Sequence, residues 1–231
     1  MLRLKKALTS SVGQKYIMAL TGLGLVGFVI THLLGNLALY RMDGVPFNTY
    51  AHTLESYGLL LYIAEVGLLG AFVVHIITAI GLTKGNSSAR PTGYRKLETK
   101  GAPSRWSFAS RRMIVSGLIL LAFLILHIWQ FKFGPGTPEG YVVEIKGENA
   151  RDLHRLVIET FHNPMYVGVY VFAMLFLGTH LRHGFWSAFQ SLGAMSPRFA
   201  PAINALGIAL ALILAAGFLF IPLWIFFGLG G

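Results

Sequence analysis

The chain has 231 residues, of which 55% are hydrophobic and only 12% charged, and its mean hydropathy is +0.63. Soluble domains carry about a quarter charged residues, so this composition excludes an ordinary soluble enzyme and predicts an all-α integral membrane protein. The net charge of +10 sits in loops between apolar runs, which argues against a nucleic-acid partner, and the lack of cysteine excludes disulfides, thiolate-held iron–sulfur clusters and covalently attached haem.

The N-terminal arm, MLRLKKALTSSVGQK, runs straight into a full-length apolar stretch without a cleaved-signal pattern. Five spans follow, at about 17–40, 59–83, 112–131, 165–189 and 203–227, each near the ~20 residues that cross a hydrocarbon core. Together they make residues 1–231 a single membrane domain. Gly22, Gly24 and Gly27 match G-x-G-x-x-G, but no strand precedes them, so a dinucleotide site is not expected. Small residues here let a helix or a flat cofactor approach the backbone.

Loop charge predicts the orientation. Fourteen Lys and Arg residues fall in the N-terminal arm, the connection from Lys84 to Arg112, and around Arg182 and Arg198. Five fall on the other side, at Arg41, Lys132, Lys146, Arg151 and Arg155. The positive-inside rule then puts the N-terminus in the cytoplasm and the C-terminus outside. The basic connection is turn-rich, and anionic lipid accounts for most of its charge; a soluble partner docked on the cytoplasmic face is the sharper alternative. In the outer loop, Leu153, Leu156, Val157 and Phe161 of ARDLHRLVIETF fall at helical spacing, predicting a short amphipathic helix on the membrane surface, with His154 and His162 solvated. The fifth span has no ionisable residue, and packing is its expected role, with Pro222 kinking its outer end.

The other four spans each carry a histidine at a similar fraction of their length: His32, His75, His127 and His180. An intramembrane ionisable residue needs a partner, and four at matched depth favour ligation over packing. Because neighbouring spans run antiparallel, His75 and His180 fall toward the cytoplasmic side, and His32 and His127 toward the outside. Facing helices of a bundle can supply imidazoles to both sides of a planar tetrapyrrole, so two noncovalent haems b are expected, displaced by roughly 10 Å along the normal. With both axial positions filled, their role is electron transfer. His183, three residues after His180, could be the ligand instead. Beside Arg182 it is better placed for haem propionates, a job that Arg111, Arg112 or Lys15 could share. Glu65, the only acid well inside a span, is either a carboxyl hydrogen-bonded to another helix or a proton carrier at a quinone pocket near His52 and Glu55.

The segments SSVGQKYIMALTGL, HLLGN, AHTLES and THLRHGFWSAFQSLG resemble the single-chain, two-haem cytochrome b subunit of succinate dehydrogenases and fumarate reductases. The resemblance covers nearly the whole chain. It implies a five-helix anchor with His75 and His180 on the inner haem and His32 and His127 on the outer one, His180 being favoured over His183 because it lies four residues before Gly184-Phe185-Trp186-Ser187. It also implies quinone, taken as menaquinone, as substrate, and FAD and iron–sulfur clusters confined to a flavoprotein and an iron–sulfur subunit on the cytoplasmic face. Ser10, Ser11 and Lys15 are candidates for a second quinone site near that partner. Some fumarate reductases carry a glutamate two residues before the fourth-span ligand; here that position is Gly178, which puts that proton path in doubt. The competing readings are a two-haem cytochrome b of another quinone-linked dehydrogenase, a five-span proton-coupled transporter and a haem-free anchor.

Overall fold

The computed structural model describes residues 2–88 and 113–228. A short helix α1, Leu2–Thr9, is followed at Ser10 by the long α2, Ser11–Asn36. The Ser10 hydroxyl accepts the Gly13 N–H at 3.1 Å, the N-cap bond that starts α2. A 3-10 turn, Leu37–Tyr40, leads to α3, Val45–Ser56, and then to α4, Leu59–Ser88. After the undescribed stretch come α5, Met113–Phe131, a hairpin of β1, Val142–Ile145, and β2, Glu148–Arg151, and the helices α6, Leu153–Phe161, α7, Pro164–Ser191, and α8, Ala200–Phe226. The expected basic connection, with Arg90, Arg95, Lys96, Glu98, Lys100, Arg105, Arg111 and Arg112, lies outside the described residues.

Among the described residues, five helices are long and apolar enough to cross a membrane: Ser11–Tyr40, Leu59–Asn86, Met113–Phe131, Pro164–Ser191 and Ala200–Phe226. On α4, Leu69, Val73, Ile77 and Ile80 repeat at helical spacing and are 40–64% exposed, a stripe that in water would be costly and in lipid is neutral. Pro222 sits inside α8, fully buried, and the helix continues to Phe226.

The chain divides into two compact units. One comprises Met1–Val26, Leu68–Leu118 and Thr179–Ala211; the other comprises Gly27–Gly67, Ile119–Gly178 and Leu212–Gly231. The second carries a folded cap built from connections. Its hairpin pairs Val142 with Arg151 and Ile145 with Glu148, closed by Lys146 and Gly147 at φ 54° and 83°. Two positive φ values make the type I′ turn that matches strand twist. Phe47 and Asn48 of α3, Ile145 and Ala150 of the hairpin, and Leu156, Val157 and Phe161 of α6 form the buried centre of this cap.

The sequence reading missed α3 and the hairpin. It also needs correcting at α6, whose apolar side is buried within the protein instead of lying on a membrane surface. His154, expected in solvent, is 8% exposed and meets Phe47 edge-on with ring centroids 6.5 Å apart. His162 is exposed. Asn48 fastens the cap: its Nδ2 donates to Asp152 at 2.8 Å, and its Oδ1 accepts the His154 N–H at 2.9 Å. Asp152 is also the N-cap of α6, accepting the Arg155 N–H at 3.0 Å. Gly44 turns the chain at φ 70°, and a Cβ there would meet the His154 ring at 2.8 Å. Only glycine meets both demands.

Burial lowers the pKa of His154 from 6.5, against the smaller opposing pull of Asp152 and Asp43, and its Nε2 is buried without a hydrogen-bond partner. An imidazole kept neutral in the fold but protonated when unfolded makes stability rise with pH, and fall as pH drops below ~6.5. The thermal midpoint of the detergent-solubilised chain should therefore drop on acidification, and His154→Gln should flatten that slope. An unchanged slope would mean the ring is already solvated.

Candidate functional site

His75 on α4 and His180 on α7 lie in the first unit. Both rings are half-buried. The Nδ1 of His75 is 3.3 Å from the Thr21 hydroxyl of α2, and the Nδ1 of His180 is 3.0 Å from the Ser116 hydroxyl of α5. A glycine follows each hydroxyl residue and lies against the same ring. A Cβ at Gly22 would be 3.4 Å from the Cε1 of His75, and one at Gly117 would be 3.6 Å from the Cε1 of His180. So Gly22 lets a ring, and not a nucleotide, lie against the helix backbone, whereas Gly24 and Gly27 face open space. His183 lies three residues after His180 on the same helix. His183 is half-buried, and Arg182 beside it is exposed.

His32 on α2 and His127 on α5 lie in the second unit, with ring centroids 5.8 Å apart and planes at 88°. Aromatic rings pack around them. Phe28 stacks on His32 at 5.3 Å and Phe218 of α8 lies 5.7 Å from it; Phe123 and Phe131 flank His127 at 5.7 and 5.4 Å. The Nδ1 of His127 is 3.2 Å from the Tyr170 hydroxyl. Among the described residues His32 has no hydroxyl partner; the Asn36 amide sits 3.5 Å from its Nε2 and spends its better bond, at 2.8 Å, on the His32 carbonyl.

Two imidazoles on one metal ion, each at the ~2 Å typical of metal–nitrogen bonds, place their ring centres about 6 Å apart. The His32–His127 spacing meets that requirement. Metal-bound histidines also characteristically donate their second ring nitrogen to a protein oxygen, and His75, His127 and His180 each have an oxygen at Nδ1 with no hydrogen bond at Nε2 among the described residues. Among those residues no group of three or more His, Asp or Glu could hold a metal ion. The histidines come in twos, so they could fill axial positions but not a whole coordination shell.

Compared with family models, with curated proteins and with solved structures, the chain matches none. The functional reading therefore rests on the side chains and on the resemblance quoted above.

A polar cavity of about 680 Å³ opens in the second unit. His52 and Glu55, both quinone candidates, line it together with Lys132, Glu139, Glu148 and Arg151. The Nε2 of His52 is 3.5 Å from the Glu148 carboxylate. Glu65 is not in the lining, but it forms an ion pair with Lys132, which is, so its partner lies at the end of another helix. At the other candidate quinone site an apolar groove of about 420 Å³ is lined by Leu8, Ser10, Val12, Tyr16 and Leu20. The Ser10 hydroxyl there is engaged in capping, and Ser11 and Lys15 are exposed outside the lining.

The residues missed from sequence are Thr21, Ser116 and Tyr170, which hold histidine rings, and Phe218, which brings the fifth long helix to His32. A Thr-Gly and a Ser-Gly pair in otherwise apolar spans were the available signal, since a hydroxyl in lipid needs a partner.

Proposed function

We propose that this chain is the membrane-anchor cytochrome b subunit of a succinate:quinone oxidoreductase. The observation that carries this is the pairing of intramembrane imidazoles, three of which have an oxygen at Nδ1 and, among the described residues, no hydrogen bond at Nε2. His75 with His180, and His32 with His127, would hold two haems b. When bound, haem b would supply one-electron transfer. Arg182 and His183 suit the propionate carboxylates as cation and donor. The family assignment, and with it the flavoprotein and iron–sulfur partners on a cytoplasmic face, rests on the quoted motifs; the orientation rests on loop charge.

Quinone reduction consumes protons that an apolar site must draw from side chains. The cavity of His52, Glu55, Glu139 and Glu148 could exchange them with water, and Lys132 ties Glu65 to its rim. Succinate oxidation and fumarate reduction use the same arrangement in opposite directions.

A pyridine haemochrome assay on the purified complex, with identification of the copurifying chains, tests the reading. The expected result is haem b in a two-to-one ratio to this chain, with a flavoprotein and an iron–sulfur subunit. A colourless, active preparation would leave the transporter or the haem-free anchor, and a hydrogenase or formate dehydrogenase partner would move the chain to another quinone-linked enzyme.

A further inference from the structure

Each of the three hydroxyls that touch a histidine has one proton, and each has an acceptor other than the histidine within hydrogen-bond distance. Thr21 Oγ1 donates to the Ile17 carbonyl at 2.7 Å, Ser116 Oγ to the Met113 carbonyl at 3.0 Å, and the Tyr170 hydroxyl to Gln130 Oε1 at 2.8 Å. A hydroxyl whose proton is committed can only accept in its remaining contact. With those protons on the carbonyls and the amide oxygen, the contacts at 3.3, 3.0 and 3.2 Å would be donated by the rings, from Nδ1–H of His75, His180 and His127. A neutral imidazole with its proton on Nδ1 has a lone pair on Nε2.

We infer that Thr21, Ser116 and Tyr170 are positioning residues that lock three of the four candidate ligand histidines in the tautomer whose Nε2 can bind a metal. For its effect on haem, this rests on the function proposed above. Helix geometry makes the lock cheap. Thr21 and Ser116 use the ordinary backward bond of a helical hydroxyl to spend their proton, which frees the oxygen to face a neighbouring helix. Tyr170 is held in place by Phe123 at 4.8 Å and Phe161 at 4.9 Å, with Gln130 as its fixed acceptor. His32 lacks such a lock. The second unit would therefore have one preset ligand and the first unit two.

A ring that donates from Nδ1 is a more basic ligand at Nε2, which favours the oxidised metal. Removing the acceptor should then raise the potential of the haem concerned and no other. Potentiometric titration of the complex should show Thr21→Val and Ser116→Ala moving the same haem upward, and Tyr170→Phe moving the other. Thr21→Ser should restore the parent value. Thr31→Val, which removes an exposed hydroxyl bonded only to the Phe28 carbonyl, should move neither. Shifts of both haems by every variant, no shift, or failure of Thr21→Ser to restore would overturn the assignment.

Nitrogen-15 NMR of histidine-labelled chain without haem reads the tautomer directly and serves any variant that loses its haem. The parent should show His75, His127 and His180 protonated at Nδ1, with a mixture at the ring whose acceptor has been removed. An Nε2–H form at those positions in the parent, or an unchanged Nδ1–H form in the variants, would also overturn it. A parent that never binds haem yet shows the Nδ1–H rings would refute the proposed function and leave the tautomer assignment standing.

Discussion

Alanine in place of His180 is expected to cost the complex one of its haems and leave the other in place. His75→Ala should remove that same one. Both rings belong to one unit, each has its Nδ1 at a hydroxyl of a different helix, and removing either leaves a single imidazole where two are needed. His32 and His127 belong to the other unit and should keep their haem. The haem-to-protein ratio should fall by half, and a redox titration should resolve one component instead of two. His183→Ala should keep both. Spacing alone leaves His183 able to replace His180, because three residues along a helix put both on nearly the same face. Their hydrogen bonding differs: the Ser116 hydroxyl lies 3.0 Å from His180 Nδ1, and among the described residues His183 has no hydroxyl partner. If His183→Ala lost a haem and His180→Ala did not, the ligand choice would be wrong and the Ser116 contact would be ordinary packing.

The parts legible in the sequence are those where one physical demand dominates. A hydrocarbon core needs about twenty apolar residues in a row, so the five long helices can be read from composition, and α5 ends at Phe131 where the apolar run ends. The histidines stood out because an ionisable group in such a run is rare. The cap was harder, since short elements there are specified by tertiary contacts. The segment VPFNTYAHTLES has mixed polarity over twelve residues and forms α3 with Phe47 and Asn48 buried. The hairpin's two strands are four residues each, and Gly147 alone announced their turn. His154 was legible and was misread: it lies three residues before Val157 and seven before Phe161, on the stripe that α6 buries. The ring-holding hydroxyls stayed hidden because their local bonds, to Ile17 and Met113, are those of any helical Thr or Ser. The second contact, which gives them a role, crosses between helices and leaves no mark on local sequence.

Arg151 is expected to be the most consequential side chain in the cap. Its guanidinium donates to the carbonyl of Phe131, the last residue of α5, at 2.8 Å, and to two just beyond it, Pro135 at 2.9 Å and Gly134 at 3.1 Å. The last carbonyls of a helix have no partner of their own and carry the negative end of its dipole, so a cation there satisfies both needs. Phe131 is one turn beyond His127, and its ring lies 5.4 Å from that imidazole. A loosened helix end would therefore reach the histidine. Hydrogen bonds from a charged donor cost about 1.5–3 kcal/mol each to remove. Water can reach part of this half-buried group and would re-solvate some of the carbonyls, so the total for Arg151→Met should be nearer about 3 kcal/mol than the sum of three. Burial pulls the pKa of this guanidinium down while Glu55 and Glu139 push it back up, so it stays charged at any working pH. Lysine has one ammonium and no fork, and Arg151→Lys should recover little of the loss. Thermal melts of the purified complex should show the drop in both variants, with the His32–His127 haem released before the other. Melting at the parent temperature would mean that water closes the end of α5 as well as Arg151 does. A drop without selective haem release would confine the effect to the cap and leave His127 independent of it.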